Sequence, residues 1–242
     1  MRSLRHTWPD PRPFADRDGR PIRLLAVSDE PEWSLRDPRT RAIVGRVDGI
    51  LGCGDLEPDW LAFLADAFCA PLVYVRGNHD AGDHWHLDAR RIPESLGHGR
   101  VVRVGGIDVA GFEWPGVEDE PRRRHEPTAW REALELAWSH SLGRLAGRSR
   151  PLLVISHAPP RGLGDVGSDP FHRGFAAYRW LIERLHPPLW LHGHTPPAAQ
   201  RAWRCRHAGT TVVDVSGALV LELEAPDDRP AISGSGPTAP RG

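Results

Sequence analysis

An α/β fold with mixed sheets is the architecture that this 242-residue chain predicts, and three observations carry it. Short β-rich runs alternate with helical patterns along most of the chain, as they do in βαβ units. A polar side chain of ligand type stands directly after each of five such runs. Two further stretches double back through small turn residues, VVRVGGIDVAGFEW at Gly105-Gly106 and TTVVDVSGALVLELE at Ser216-Gly217, and read as hairpins.

The elements follow in order. LLAV (24–27) and DGILGC (48–53) are apolar runs of strand length, and PDWLAFLADAF after them begins with a proline that suits a first helical position. LVYV (72–75) is the third run, followed by the hairpin over 101–114. AWREALELAWSHSLGRLAG then reads as a helix before LLVIS (152–156), and GFAAYRWLIERLH as another before LWLH (189–192). Such continuous apolar runs suit strands buried on both faces of a largely parallel sheet. With no linker or low-complexity tract in the interior, residues 1–224 are expected to form one domain. Residues 225–242 carry no periodic apolar pattern and are expected to be a disordered tail.

Bulk chemistry narrows the function. Lys+Arg total 31 against 32 Asp+Glu, a formal net charge of -1, so no global field favours nucleic acid or anionic lipid. All of those cations are arginine, which excludes Schiff-base chemistry and a P-loop lysine. Cys53, Cys69 and Cys205 are too scattered for a disulfide framework or a CxxC zinc site. The opening MRSLRHTWPDPRP is too polar for a signal peptide, and no apolar stretch reaches the roughly 20 residues of a membrane span, so a cytoplasmic protein is expected.

The residues behind the five runs are Asp29, Gly54-Asp55, Gly77-Asn78-His79-Asp80, His157 and Gly193-His194. Carboxyl ends of parallel strands share one rim, so five distant segments can deliver side chains to one place. Carboxylate, amide oxygen and imidazole together suit Mn²⁺, Fe or Zn²⁺ and suit Ca²⁺ poorly. An isolated Asp or Asn at such a place is usually a turn or helix cap; five in equivalent places favour a site.

GD at 54–55, GNHD at 77–80, a lone His157 in SHAPP and GHT at 193–195 resemble, in order, the signature of the calcineurin-like metallophosphoesterases over roughly residues 22–224. The resemblance implies a sandwich of two mixed sheets flanked by helices, and hydrolysis of a phosphomonoester or phosphodiester by attack of metal-bound hydroxide. It implies that Asp55 bridges two metals, that Asn78, His157 and His194 complete the second metal's shell and that Asp29 serves the first. It implies as well that His79 stabilises or protonates the leaving oxygen, oriented by Asp80.

Two positions depart from the family pattern. The first motif usually runs Asp, any residue, His, and the last Gly-His-any-His; the matching positions here are Pro31 and Pro196, which offer no side-chain donor. One ion is therefore expected to be firmly bound and a second weak or conditional, with Glu30, Glu32 or His172 as substitute donors. A degenerate binding or regulatory module with little turnover is the alternative, and a metal-dependent nuclease a third reading.

Arg161, His172 and Arg173, in the Gly/Pro-rich loop 157–175, are candidate contacts for a small phosphorylated substrate such as a nucleotide. Arg122, Arg123 and Arg124 read as an exposed loop and Arg76 as structural. Trp33, Trp85 and Trp114 are candidates for stacking on a flat group. His192 is equally readable as a core residue or a partner of the site, and the other histidines as surface or satisfied core.

Overall fold

The computed structural model describes residues 1–80, 85, 89–116, 123–148, 150–196 and 202–226. The expected tail falls almost entirely outside them. Eleven strands form two mixed sheets among these residues. The five-stranded sheet contains β1 (Arg2–Thr7), β2 (Ile22–Ser28), β3 (Gly49–Cys53), β4 (Leu72–Val75) and β11 (Gly217–Glu224), in the order β1-β11-β2-β3-β4. The six-stranded sheet contains β5 (Val101–Val104), β6 (Ile107–Phe112), β7 (Leu152–Ser156), β8 (Leu189–His192), β9 (Arg204–His207) and β10 (Thr210–Asp214), in the order β5-β6-β7-β8-β10-β9. β2, β3 and β4 run parallel, as do β6, β7, β8 and β10.

The apolar runs are continuous because alternate residues face opposite layers. Leu24, Ala26, Leu51, Cys53 and Val75 point into the sandwich, where they meet Val109, Leu153, Ile155, Leu189 and Leu191 of the other sheet. Leu25, Val27, Ile50, Leu72 and Tyr74 point outward into a second cluster with Trp60, Leu61 and Leu64 of α2 (Pro58–Phe68) and Val44 of α1 (Pro38–Val44). On the far side, Val154, Trp190 and Val212 face Ala129, Ala133 and Leu136 of α3 (Glu126–Leu145) and Tyr178, Leu181 and Ile182 of α4 (Ala176–Leu185). No helix among the described residues is long and apolar enough to cross a membrane.

Two expectations are corrected here. The second hairpin does not form: β10 pairs with β8 and β9, whereas β11 pairs with β1 and β2, so Val215-Ser216 carries the chain from one sheet to the other. Apolar β runs around a small-residue turn have the same pattern whether they join each other or cross between layers. The polar opening segment also contains a strand, β1, parallel to β11 at the sheet's edge, with Leu4 as its one buried residue.

Trp190 anchors the helical side of the six-stranded sheet. Fully buried, it stacks on Phe112 with ring centroids 5.9 Å apart and donates its indole N–H to Ser156 Oγ at 2.8 Å. Trp190→Ala is expected to cost about 3–5 kcal/mol, read as a lower midpoint in urea unfolding.

Candidate metal centre

Asp29 follows β2, Asp55 follows β3, Asn78 follows β4, His157 follows β7 and His194 follows β8. Asp55, His157 and His194 each present a ligand atom within 4.8 Å of the other two. His157, fully buried, has its Nδ1 2.9 Å from the Cys53 carbonyl, an acceptor that fixes Nδ1 as the donor and turns Nε2 to the centre. There Nε2 lies 3.1 Å from Asp55 Oδ2 and 3.0 Å from Asn78 Oδ1. Two oxygens and a ring nitrogen converging on one point call for an electrophile between them, a proton or a metal cation. The donor set therefore fits a divalent transition ion.

The electrostatics are those of closely coupled groups. Burial opposes a charge on His157, but the Asp55 carboxylate, its hydrogen bond and Asp29 together lift it to about 9. Burial would raise Asp55, yet His157 outweighs that and holds it below the usual carboxylate range. Burial, then the neighbouring His157 charge, pushes His194 down to about 3. Asp29 is raised, chiefly by burial.

The backbone is bent to make this convergence. Asp29, Asp55 and His194 hold φ of 61, 54 and 67°, a region that L-residues occupy at a cost of about 1–3 kcal/mol each. Glycine precedes three of the ligands, Asp55, Asn78 and His194, because the neighbours stand where a side chain would be; a Cβ on Gly54 would lie 2.6 Å from His157 Nδ1. A Cβ on Gly77 would lie 2.1 Å from Asp55 Oδ1, and one on Gly193 would lie 2.0 Å from Ser28 Oγ.

The remaining candidates divide. His79, exposed, lines the same cavity and ties its backbone N–H to Asp55 Oδ1 at 2.8 Å. Asp80 is buried, and its Oδ2 accepts the amides of Asp55 at 2.7 Å and Gly77 at 2.8 Å. Its hydrogen bonds thus brace two metal-site loops instead of orienting the His79 ring. Burial, partly offset by the Gly77 amide, pushes it up to about 6. His172 lines the cavity with Nδ1 bonded to Asp169 and its ring centroid 5.1 Å from that of His194.

Arg161 and Arg173 do not line the cavity. Arg161 reaches Glu126 and the Gly174 carbonyl, and Arg173 the Gly167 carbonyl, so both brace the loop that carries them. Arg123 and Arg124 line the cavity instead, correcting their reading as a merely exposed run; Arg122 lies outside the described residues. Arg124 stands 3.9 Å over the Phe175 ring and pairs with Glu126 at 2.7 Å.

Of the tryptophans, Trp114 lines the cavity, its ring 4.8 Å from that of His194. Trp85 is buried against Tyr74, and Trp33 sits on Trp60 and Arg36, away from the site. Arg76 makes a two-pronged pair with Glu113 at 2.7 and 2.9 Å, a structural role. His192 is a core residue, its Nδ1 2.9 Å from the Gly193 carbonyl. Ser216, read as a turn residue, lines the cavity and donates to Asp29 Oδ2 at 3.3 Å; its position directly before a strand gave no sign of this. The whole cavity measures about 870 Å³.

Known proteins share this fold. The profile of the calcineurin-like phosphoesterases matches residues 43–198. A dimetal phosphatase from Danio rerio shares the fold at TM-score 0.52 and 12% identity, over 81% of this chain and 87% of that one. The TT1561 protein of Thermus thermophilus does so at 0.51 and 16%, over 81% and 90%. No curated protein sequence matches the chain. With more than half of its residues inside the profile and its donors on the loops of two mixed sheets, the chain belongs to the calcineurin-like phosphoesterase family.

Proposed function

We propose that the chain is a metal-dependent phosphoesterase that hydrolyses a P–O bond in a small phosphomonoester or phosphodiester. The convergence of Asp55, Asn78, His157 and His194 at one wall of an open cavity carries this reading. Those four side chains would hold a divalent cation, with Mn²⁺, Fe and Zn²⁺ the ions whose preferences the mixed donors meet. A cation there supplies Lewis-acid charge for phosphoryl oxygens and acidifies water.

The chain's own residues supply the rest. Arg123, Arg124 and His172 bring cationic or hydrogen-bonding groups to the cavity wall, where a phosphate ester needs compensation for its charge. His79, at the exposed rim of the same wall, is placed to give a proton to the leaving oxygen. Trp114 and Phe171 present apolar surface for the organic part of the ester, a nucleotide base among the groups that would suit it. The free thiols Cys53, Cys69 and Cys205, with Cys69 exposed, support a reducing cytoplasm as the location.

The test is reconstitution. Protein stripped with a chelator is expected to leave aryl phosphate monoesters and diesters intact, and Mn²⁺ is expected to restore hydrolysis of at least one. Bound Mn²⁺ with no turnover of either class favours instead a binding module, the reading that the prolines at 31 and 196 support.

A further inference from the structure

We infer that the centre holds a single metal ion and that Asp29 is a positioning residue for His194, not a ligand. The inference rests on the reading of Asp55, Asn78, His157 and His194 as the ligand set.

Asp29 is turned toward protein. Its Oδ1 and Oδ2 each lie 3.1 Å from the backbone nitrogen of His194, so one N–H is shared between both oxygens. Oδ2 also accepts the Ser216 hydroxyl at 3.3 Å. The carboxylate sits so close to the preceding residue that a Cβ on Gly193 would be 2.4 Å from Oδ2. His194 holds φ 67°, a strained conformation that persists only where its surroundings impose it. The shared N–H bond to Asp29 holds the His194 backbone in it, while the Phe171 carbonyl, 2.9 Å from Nε2, holds the ring.

The place where a second ion would bind is poor in donors. Pro31 and Pro196 occupy the two positions that could have carried histidine, and Pro196 itself lines the cavity. Among the described residues of the lining, the oxygen-bearing side chains besides Asn78 are Asp29, Glu30, Asp55, Thr195 and Ser216, and Thr195 Oγ1 is bonded to the Gly164 carbonyl. Asp55 is shared with the first ion, and the Ser216 hydroxyl has the Asp29 carboxylate and the Thr195 carbonyl as acceptors. Of the other two substitutes considered, Glu32 accepts the Ser34 hydroxyl at 2.7 Å and does not line the cavity, and His172 lines it with its Nδ1 engaged by Asp169. Transition ions are retained by three or four protein ligands, usually with nitrogen or sulfur among them, and the two positions at which the family pattern places nitrogen for this ion are prolines here.

The experiment is a metal titration of the full chain, stripped and then equilibrated with Mn²⁺, read by elemental analysis and electron paramagnetic resonance. One ion per chain with the spectrum of an isolated Mn²⁺ is expected, and two ions or a spin-coupled pair would overturn the inference. The role of Asp29 is read from affinity. Asp29→Ala removes the acceptor for the His194 amide and is expected to weaken Mn²⁺ binding by about 10–100-fold, the usual cost of losing an outer hydrogen-bond partner of a ligand. Asp29→Asn keeps an amide oxygen in the acceptor's place and is expected to bind Mn²⁺ close to wild type. Equal losses in the two variants would identify Asp29 as a ligand and refute its positioning role. Failure of the wild-type chain to take up any ion would instead remove the metal-centre reading beneath it.

Discussion

His194→Ala is expected to leave a folded protein that loses its divalent ion and hydrolyses aryl phosphate esters at least about 10³-fold more slowly than wild type. The size follows from what the imidazole does. It is one of three groups with ligand atoms within 4.8 Å of one another, so its loss leaves Asp55 and His157, with Asn78 beside them, to hold the ion. A cation's charge on a phosphoryl group in flight is worth several kcal/mol, and about 4 kcal/mol is a factor of about 10³. Folding should survive because His194 lies in a loop after β8, outside the three apolar clusters, and is only half-buried. The measurements are Mn²⁺ affinity by calorimetry and kcat/KM with saturating Mn²⁺, with near-ultraviolet circular dichroism to verify packing. Hydrolysis at the wild-type rate in a variant that packs normally would refute the site.

The centre was legible in the sequence for a physical reason. One polar residue after a buried strand is usually a turn or a cap, but ligand-type residues after several parallel strands share one rim, so Asp55, Asn78, His157 and His194 stood out against LGC, LVYV, LLVIS and LWLH. The sheets were legible for the same reason, because Leu24 and Leu25 face different clusters and both must be apolar. Edge strands were not. In β1 only Leu4 is buried, and in β9 the residues alternate between exposed and half-buried, so neither leaves an apolar run.

Other features depend on tertiary direction, which spacing does not encode. Asp80 follows His79 in sequence, yet its carboxylate turns back onto the amides of Asp55 and Gly77. Arg161 and Arg123 both lie in loops near the rim, yet Arg123 lines the cavity whereas Arg161 is bonded to Glu126 and the Gly174 carbonyl outside it. Ser216 could be placed beside Asp29 only once β10 and β11 were known to belong to different sheets.

Gly77→Ala is expected to reduce turnover at least about 10²-fold although it adds a single methyl group and removes no donor. The added carbon would stand 2.1 Å from Asp55 Oδ1, 2.7 Å from Asp55 Cγ and 2.8 Å from the Asp55 amide nitrogen. No rotamer can relieve that contact, since the carboxylate's position is itself fixed by the His79 amide at 2.8 Å and by His157 at 3.1 Å. The Asn78 loop or Asp55 must therefore move, and a displacement of about 1 Å at a catalytic group costs about 10²-fold. Overpacking of this kind also costs about 1–3 kcal/mol of stability, so activity should be compared well below the unfolding temperature. Gly143 provides the control: it lies in α3, a Cβ there would meet nothing within 4 Å, and Gly143→Ala should stabilise by up to about 1 kcal/mol with unchanged kinetics. If the two alanine variants turned over substrate and bound Mn²⁺ alike, the close approach of Gly77 to Asp55 would have no part in shaping the centre.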